Sequence, residues 1–235
     1  MAILTIPSRF CGPPDSANGG WACGILARVI DGPARVTLRH PPPLDSQLQV
    51  VEDTDGARLV QGDTLLAEAE PVTTLDLAVP EPVSWAQAEA AVAGYPWYRG
   101  HPFPNCFVCG PARDSDGLRL FPGAVEGRQV AASPWRIPAD LCADNTARTE
   151  LVWAALDCPS WFGFRVFDAN HGPALLGRLT AEIAEHPRAG DRCVVGGWNI
   201  RRDRRKIVCG SAVWSEDGAL LAVAEAVWIE LRAKT

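Results

Sequence analysis

The residue spacing most suggestive of chemistry is Cys106-Phe-Val-Cys109, which is followed by Gly110 and then by a predicted strand start at Gly117-Leu118. It is half of a zinc-ribbon spacing, but no second Cys-x-x-Cys follows and the remaining cysteines are isolated in sequence. Redox chemistry favours a Cys-x-x-Cys that opens a helix, and this one precedes a strand. The sequence therefore predicts reduced, structural cysteines and no metal site. A zinc module and a redox module are the alternatives.

Histidine offers no catalytic pattern, whereas one acidic helix face does. No histidine has the spacing of a Ser/His/Asp triad or of a metal-ligand set; the four are His40, His101, His171 and His186. Glu150, Trp153 and Asp157 share one face of a predicted helix through their three- and four-residue spacing. Glu150 is therefore a candidate functional acid beside Asp157, with stabilisation of the helix N-terminus as its alternative role.

Length and charge bound the class of protein. A chain of 235 residues with 47% hydrophobic content is long enough for one large domain or for two of about 100–130 residues. Its net charge of −6 argues against a nucleic-acid surface. No apolar run approaches the roughly 18–20 residues that cross a bilayer, and residues 1–7 lack the features of a secretory signal. We expect a cytoplasmic protein without nucleic-acid or membrane partners.

The first half predicts one helix followed by strands. Residues 17–30 are almost wholly apolar, which predicts a buried helix with Asp15 or Ser16 as its N-cap and Gly32-Pro33 at its end. Strand patterns then follow at 34–39, 46–54, 57–61 and 64–73. From residue 79 to 104 the sequence is Pro-rich around a short helical stretch at 84–93, and this segment is the predicted linker.

The second half repeats the plan with longer elements. Strands are predicted near 117–121 and 127–136, and a helix runs from about 147 to 157, with Pro159 placed to terminate or kink it. Strand patterns complete the half at 174–186, 191–201, 206–215 and 219–232.

Short matches in the same order indicate an internal repeat. Residues 34–37 match 177–180, and residues 65–69 match 220–224. A single sheet around one helix leaves an edge strand and a helix flank uncovered, which a second copy would protect. We therefore predict an α+β chain in which two tandem copies form a pseudo-dimer. The predicted division is 1–80, a linker at 81–104, and 105–235.

Residues 105–232 resemble the hotdog-fold acyl-CoA thioesterases, in their phenylacetyl-CoA thioesterase-like branch. The resemblance rests on the signature 106–118, the helix 151–157, the strand start Arg205-Lys206 and the hairpin arm 218–224. It implies a double hotdog, each half a long central helix wrapped by an antiparallel sheet. It also implies hydrolysis of an acyl-CoA or acyl-carrier thioester without metal or organic cofactor. The alternative is a non-catalytic acyl-CoA-binding or structural hotdog; association of pseudo-dimers into a homo-oligomer is left open.

In that family a His-Gly-Gly motif opens the helix, and an acid follows seven residues after its second glycine. Here Asn18-Gly19-Gly20 replaces the motif in the first half, but the acid position is Ala27; the second half has Asp157 but carries Arg148-Thr149-Glu150 at the motif. Because the family's site is shared across the dimer, the resemblance implies one complete site and one inactive one. The helix N–H groups would bind the thioester oxygen, and Asp157 would activate water or attack the carbonyl.

Further residues are candidates for substrate binding. Trp21 and Trp153, together with Trp161, lie on or near the two predicted helices and are candidates to line an acyl pocket, with burial in the core as the alternative. Glu150 is a further candidate on the same helix. The charged run Arg204, Arg205 and Lys206 is a candidate clamp for CoA phosphates, with a solvated hairpin tip as the alternative.

Overall fold

One antiparallel sheet runs through both halves of the chain in the computed structural model, which describes residues 2–170 and 172–231. His171 and the last predicted strand residue, 232, lie outside the described residues. Within the described part, eleven strands form this sheet and two short strands form a separate hairpin. None of the described helices combines the length and apolar content needed to span a bilayer.

The first half contributes helix α1, Gly19–Ala27, and five strands. All eight residues of α1 after Gly19 are buried, as the apolar sequence predicts, but the helix is shorter than the predicted 17–30. It begins where the Asn18 side chain accepts a hydrogen bond from the N–H of Trp21, so Asn18 and not Asp15 or Ser16 is the N-cap. The strands are β1 (Ala2–Thr5), β2 (Ala34–Leu38), β3 (Gln47–Asp53), β4 (Gly56–Gln61) and β5 (Thr64–Pro71). They lie in the order β1-β3-β4-β5-β2.

The second half contributes the long helix α3, Thr149–Arg165, and the other eight described strands. Six of its strands continue the sheet from β2 in the order β10-β13-β12-β11-β7-β6. The strands are β6 (Gly123–Ala124), β7 (Ala131–Arg136), β8 (Cys142–Ala143), β9 (Thr146–Ala147), β10 (Ala174–Ile183), β11 (Arg192–Asp203), β12 (Lys206–Ser215) and β13 (Leu220–Glu230). Helix α3 packs on β11, β12 and β13, so the sheet wraps around it.

Two sequence predictions in this half are wrong. Residues 117–121 form no strand: Arg119 has a left-handed φ of 53°, which interrupts the extended backbone. The helix does not end near 157 but continues through Pro159. Near the proline, the carbonyls of Leu156 and Asp157 accept hydrogen bonds from the hydroxyls of Ser211 (2.7 Å) and Ser160 (2.6 Å). Asp157 therefore lies in the middle of a buried helix.

The predicted linker is a packed layer. Helix α2, Trp85–Ala91, begins with a capping box formed by Ser84 and Gln87 and lies against β7 and β11. It joins a second core that contains Val194 and Trp198 of β11, whereas neighbouring side chains of β11 belong to the main core. Helix α2 covers the sheet face opposite α3, whereas Tyr95 and Trp97 of the same segment pack on α3. We keep the division at 81–104 as a proposal.

The two halves meet through one strand pair and one helix pair. β2 and β10 pair antiparallel, with Val36 opposite Leu179. The predicted match of 34–37 with 177–180 makes this pair the centre of a pseudo-twofold axis, since each flanking pair maps onto the other. Beside it, α1 packs against α3. A methyl group added at Gly20 would lie 2.5 Å from Asp157 Cβ, so the helices touch without an intervening side chain.

We expect Gly24→Ala to destabilise the fold although alanine is the better helix former. Its methyl group would overlap the backbone of Glu150 on α3, where no flexible side chain can move aside. The expected loss is about 1–3 kcal/mol of unfolding free energy in urea titrations. Gly94→Ala is the matched control, because the added methyl would meet no described atom closer than 4.0 Å. Equal stability of the two variants would contradict the close helix contact.

Candidate functional site

A cavity of about 460 Å³ opens where the two halves meet, a volume typical of small-molecule sites. Its walls come from the 12–19 loop, the end of β2, segments between residues 97 and 109, the middle of α3, and parts of β10 and β13. Asp157 and Gly19 both line it. The first and second halves therefore contribute different chemical groups to one site.

Asp157 is a buried carboxylate with one oxygen held and one oxygen unpaired. Asp157 is only 2% exposed to solvent. Oδ2 accepts hydrogen bonds from the Gly20 N–H (2.9 Å) and from Asn18 Nδ2 (2.8 Å). Oδ1 has no hydrogen-bond partner among the described residues. Burial raises the pKa of Asp157 to about 7, the two hydrogen bonds oppose this rise, and negative charge on Cys106 adds to it.

Asn18 and Gly19 prepare the N-terminus of α1 for a negative charge. Asn18 uses its carbonyl oxygen to cap the helix at the Trp21 N–H (2.9 Å), which turns its amide nitrogen toward Asp157. The Gly19 N–H makes no hydrogen bond to any described residue. It lies at the positive end of the helix dipole and at the cavity wall. An oxygen that develops negative charge in the cavity would find a donor there.

The second pseudo-site holds no such pair of groups. Ala27 occupies the acid position of α1, and Glu150 forms an ion pair with Arg28 at 3.0 Å. Glu150 is buried but does not line the cavity. The two helices are therefore chemically asymmetric at positions that the pseudo-twofold axis relates.

The structure separates several of the predicted binding residues from the cavity. Trp21 stacks on Phe10 with ring centroids 3.7 Å apart, and Trp153 is buried in the helix contact; neither lines the cavity. The tryptophans that do line it are Trp97, Trp161 and Trp228. Arg204, Arg205 and Lys206 lie at the exposed β11–β12 hairpin, also outside the cavity wall.

Two cavity residues escaped the sequence analysis. Cys158 follows Asp157 on α3, and its Sγ lies 3.7 Å from Cys106 Sγ. His101 Nε2 lies 3.4 Å from Cys109 Sγ. Hydrogen bonds from Cys109 and Cys158 lower the pKa of the Cys106 thiol. The adjacency of a cysteine to the candidate acid was the one signal in the sequence, since His101 lies in an irregular loop.

Comparison with known proteins identifies the fold by structure alone. No protein-family model matches the chain, and neither does any curated protein sequence. Among solved structures, a hotdog-fold protein of unknown function from Alicyclobacillus acidocaldarius is similar over 99% of this chain and 93% of its own, with 11% identity and a TM-score of 0.64. A protein from Novosphingobium aromaticivorans, named provisionally as a thioesterase, is similar over 98% and 95%, with 13% identity and a TM-score of 0.61.

A third solved structure is also similar to this chain over nearly its whole length. The tesB protein of Mycobacterium avium subspecies paratuberculosis covers 98% of this chain and 92% of its own, with 12% identity and a TM-score of 0.61. Identities this low carry the fold and leave the activity to be argued from the site. The continuous sheet, the two wrapped helices and these full-length matches show that the chain is a tandem hotdog protein.

Proposed function

We propose that the chain hydrolyses an acyl-CoA or acyl-carrier thioester at the composite site formed by α1 and Asp157. The observation that carries this proposal is that two residues with an unpaired polar group line one cavity, Gly19 through its N–H and Asp157 through Oδ1. A donor at a helix N-terminus and a carboxylate with a raised pKa are what hydrolysis of a thioester requires. Thioesterase names among the structural neighbours support the same reaction class.

The reaction follows from the two groups. The thioester oxygen accepts a hydrogen bond from the Gly19 N–H, and a water molecule lies between Asp157 Oδ1 and the carbonyl carbon. Asp157 takes a proton from the water as the oxygen attacks carbon, and the negative charge on the carbonyl oxygen is stabilised at the helix N-terminus. When the tetrahedral intermediate collapses, the C–S bond breaks and the thiolate leaves with the proton returned from Asp157.

In this mechanism Asn18 and Gly20 position the base. Their two hydrogen bonds hold Oδ2 and leave Oδ1 without a hydrogen-bond partner among the described residues, in a side chain that lines the cavity. Gly20 was a predicted donor to the thioester oxygen, but its N–H is already bonded to Asp157, which leaves that task to Gly19.

The cavity wall favours an apolar acyl group. Leu176, Trp161, Phe162 and Trp228 are among its large apolar side chains, and an acyl chain packed on them would lie beside β10 and α3. For the CoA phosphates we keep the β11–β12 hairpin as the proposed clamp. Lys206 pairs in register with Ile229, which lines the cavity, so the hairpin begins one strand away from the wall.

A non-catalytic acyl-CoA-binding protein is the second candidate function. Two observations favour it. The Gly20 N–H already donates to Asp157 and is not free for a thioester oxygen, and the second pseudo-site is incomplete. Equilibrium binding and free-thiol release, measured with the same panel of acyl-CoA thioesters, separate the two candidates. Release supports hydrolysis, and binding without release supports the second function.

We expect Asp157→Asn to lower the rate of thiol release by about 10²- to 10⁴-fold, the range attributed to a positioned general base. The amide can still accept from Asn18 and Gly20, so circular dichroism should show an unchanged fold. Glu150→Gln is the matched control, because it changes a buried acid of the same helix that lies outside the cavity. It should retain most of the activity. Unchanged hydrolysis by the Asp157 variant would remove the assignment.

Asn18→Ser separates capping from positioning. A serine can still cap α1, but it has no amide N–H for Asp157. A hydrogen bond to a charged group is worth about 1.5–3 kcal/mol, so kcat should fall about 10- to 100-fold. Asn18→Ala also loses the cap and should unfold about 1 kcal/mol more easily than the serine variant. A kcat equal to that of the unmodified protein for Asn18→Ser would show that Asn18 is only a helix cap.

A further inference from the structure

Three cysteine sulfurs meet at the cavity wall beside Asp157. Cys106 and Cys109 come from the turn that follows the α2 segment, and Cys158 comes from α3. Their Sγ atoms all lie within 4.8 Å of one another, and the side chains are buried but border the cavity. The proposed hydrolysis uses none of them.

The spacing of the sulfurs fits a tetrahedral metal ion. Zinc binds cysteine sulfur at about 2.3 Å, which places two sulfurs on a tetrahedral ion about 3.8 Å apart. The Sγ atoms of Cys106 and Cys158 are 3.7 Å apart. Thiolate ligands select zinc and other thiophilic ions over magnesium and calcium, which prefer oxygen.

The turn that carries two of the sulfurs is built to support negative charge. Hydrogen bonding by the Cys109 and Cys158 side chains, with smaller contributions from the backbone N–H groups of Cys109 and Val108, lowers the pKa of the Cys106 thiol. The Gly110 N–H closes the turn on the Cys106 carbonyl at 2.9 Å. A methyl group at Gly110 would lie 2.5 Å from the Cys106 backbone nitrogen, so the turn requires glycine. Hydrogen bonds of this kind orient metal ligands and stabilise thiolates.

His101 supplies a further donor. Its Nδ1 accepts a hydrogen bond from the Phe103 N–H at 2.9 Å, which leaves the proton of the neutral ring on Nε2. Nε2 lies 3.4 Å from Cys109 Sγ. The histidine therefore directs a donor toward the Cys109 sulfur in this arrangement and does not itself present a lone pair to the cluster.

We propose that Cys106, Cys109 and Cys158 bind one zinc ion as thiolates, with His101 as a hydrogen-bond donor to Cys109 and the fourth coordination position facing the cavity. Binding releases the protons of those cysteines that are thiols in the metal-free protein. The ion would tie the 106–110 turn to α3 at the residue next to Asp157. This site is independent of the proposed hydrolysis and can be tested without a substrate.

The direct test is elemental analysis of the full-length protein purified from zinc-supplemented medium without chelator. One zinc ion per chain is expected, and removal with a chelator should lower the melting temperature until zinc is restored. Titration of the metal-free protein with Cd²⁺ should add the ultraviolet charge-transfer absorption of cadmium–thiolate bonds, with an endpoint at one ion. A purified protein that holds no metal and shows no such absorption would overturn the proposal.

Cysteine variants identify the ligands. Cys106→Ser, Cys109→Ser and Cys158→Ser should each weaken zinc binding by more than about 100-fold, because loss of a ligand costs more than loss of a supporting hydrogen bond. Cys142→Ser is the matched control, since Cys142 is only half-buried and bonds to the Pro138 carbonyl away from the cluster. His101→Ala should weaken binding by about 10- to 100-fold while one ion is still bound at saturation.

A disulfide is the rival fate of these cysteines, and intact mass separates it from the metal site. Protein purified without reductant should keep the mass of all free thiols once the metal is removed by acid. A mass lower by two hydrogens, mapped to Cys106 and Cys158 and accompanied by no zinc, would contradict the proposal. Unchanged zinc affinity in all three serine variants would also contradict it.

Discussion

Helix α1 approaches helix α3 so closely at Gly20 that no side chain fits between them. This contact sets the distance from the N-terminus of α1 to Asp157, and it allows the Gly20 N–H to reach the carboxylate at 2.9 Å. A residue with a Cβ at either Gly20 or Gly24 would push the helices apart. Beside this contact, β2 pairs with β10, and the single sheet continues from one half into the other. The geometry of the cavity depends on the helix contact.

Fusion of the two copies lets the halves differ. In the first half the helix N-terminus carries Asn18 and Gly19 but no acid, and in the second the helix carries Asp157 but no glycine pair. The equivalent positions of the second pseudo-site are used for stability instead, through the ion pair of Glu150 with Arg28. A buried carboxylate with an unpaired oxygen is costly to the fold. Its presence at only one of the two related positions favours a functional explanation.

Much of the fold could be predicted from the periodicity of hydrophobic residues, whereas the site depends on contacts between residues that are far apart in the sequence. The apolar segment around Trp21 and the alternating strands after Ala34 predicted the first half well, because local patterns determine which face of each element is buried. Pro159 misled the helix prediction, because a proline inside a helix usually ends or kinks it, whereas α3 continues to Arg165. Local sequence patterns also could not predict that Cys158 lies close to Cys106. Trp21 and Trp153 were assigned to the cavity because spacing alone cannot distinguish a helix face that lines a pocket from one that packs on another helix.

The proposed function requires one thioester to bind between the start of α1 and Asp157. A crystal structure with an acyl-CoA ketone analogue, in which a methylene group replaces the thioester sulfur, tests it most directly. We expect the ketone oxygen to lie within hydrogen-bonding distance of the Gly19 N–H, and a water molecule to bridge Asp157 Oδ1 and the ketone carbon. A ligand that binds elsewhere, or one whose carbonyl group points away from both residues, would contradict the proposed binding of the thioester at this site.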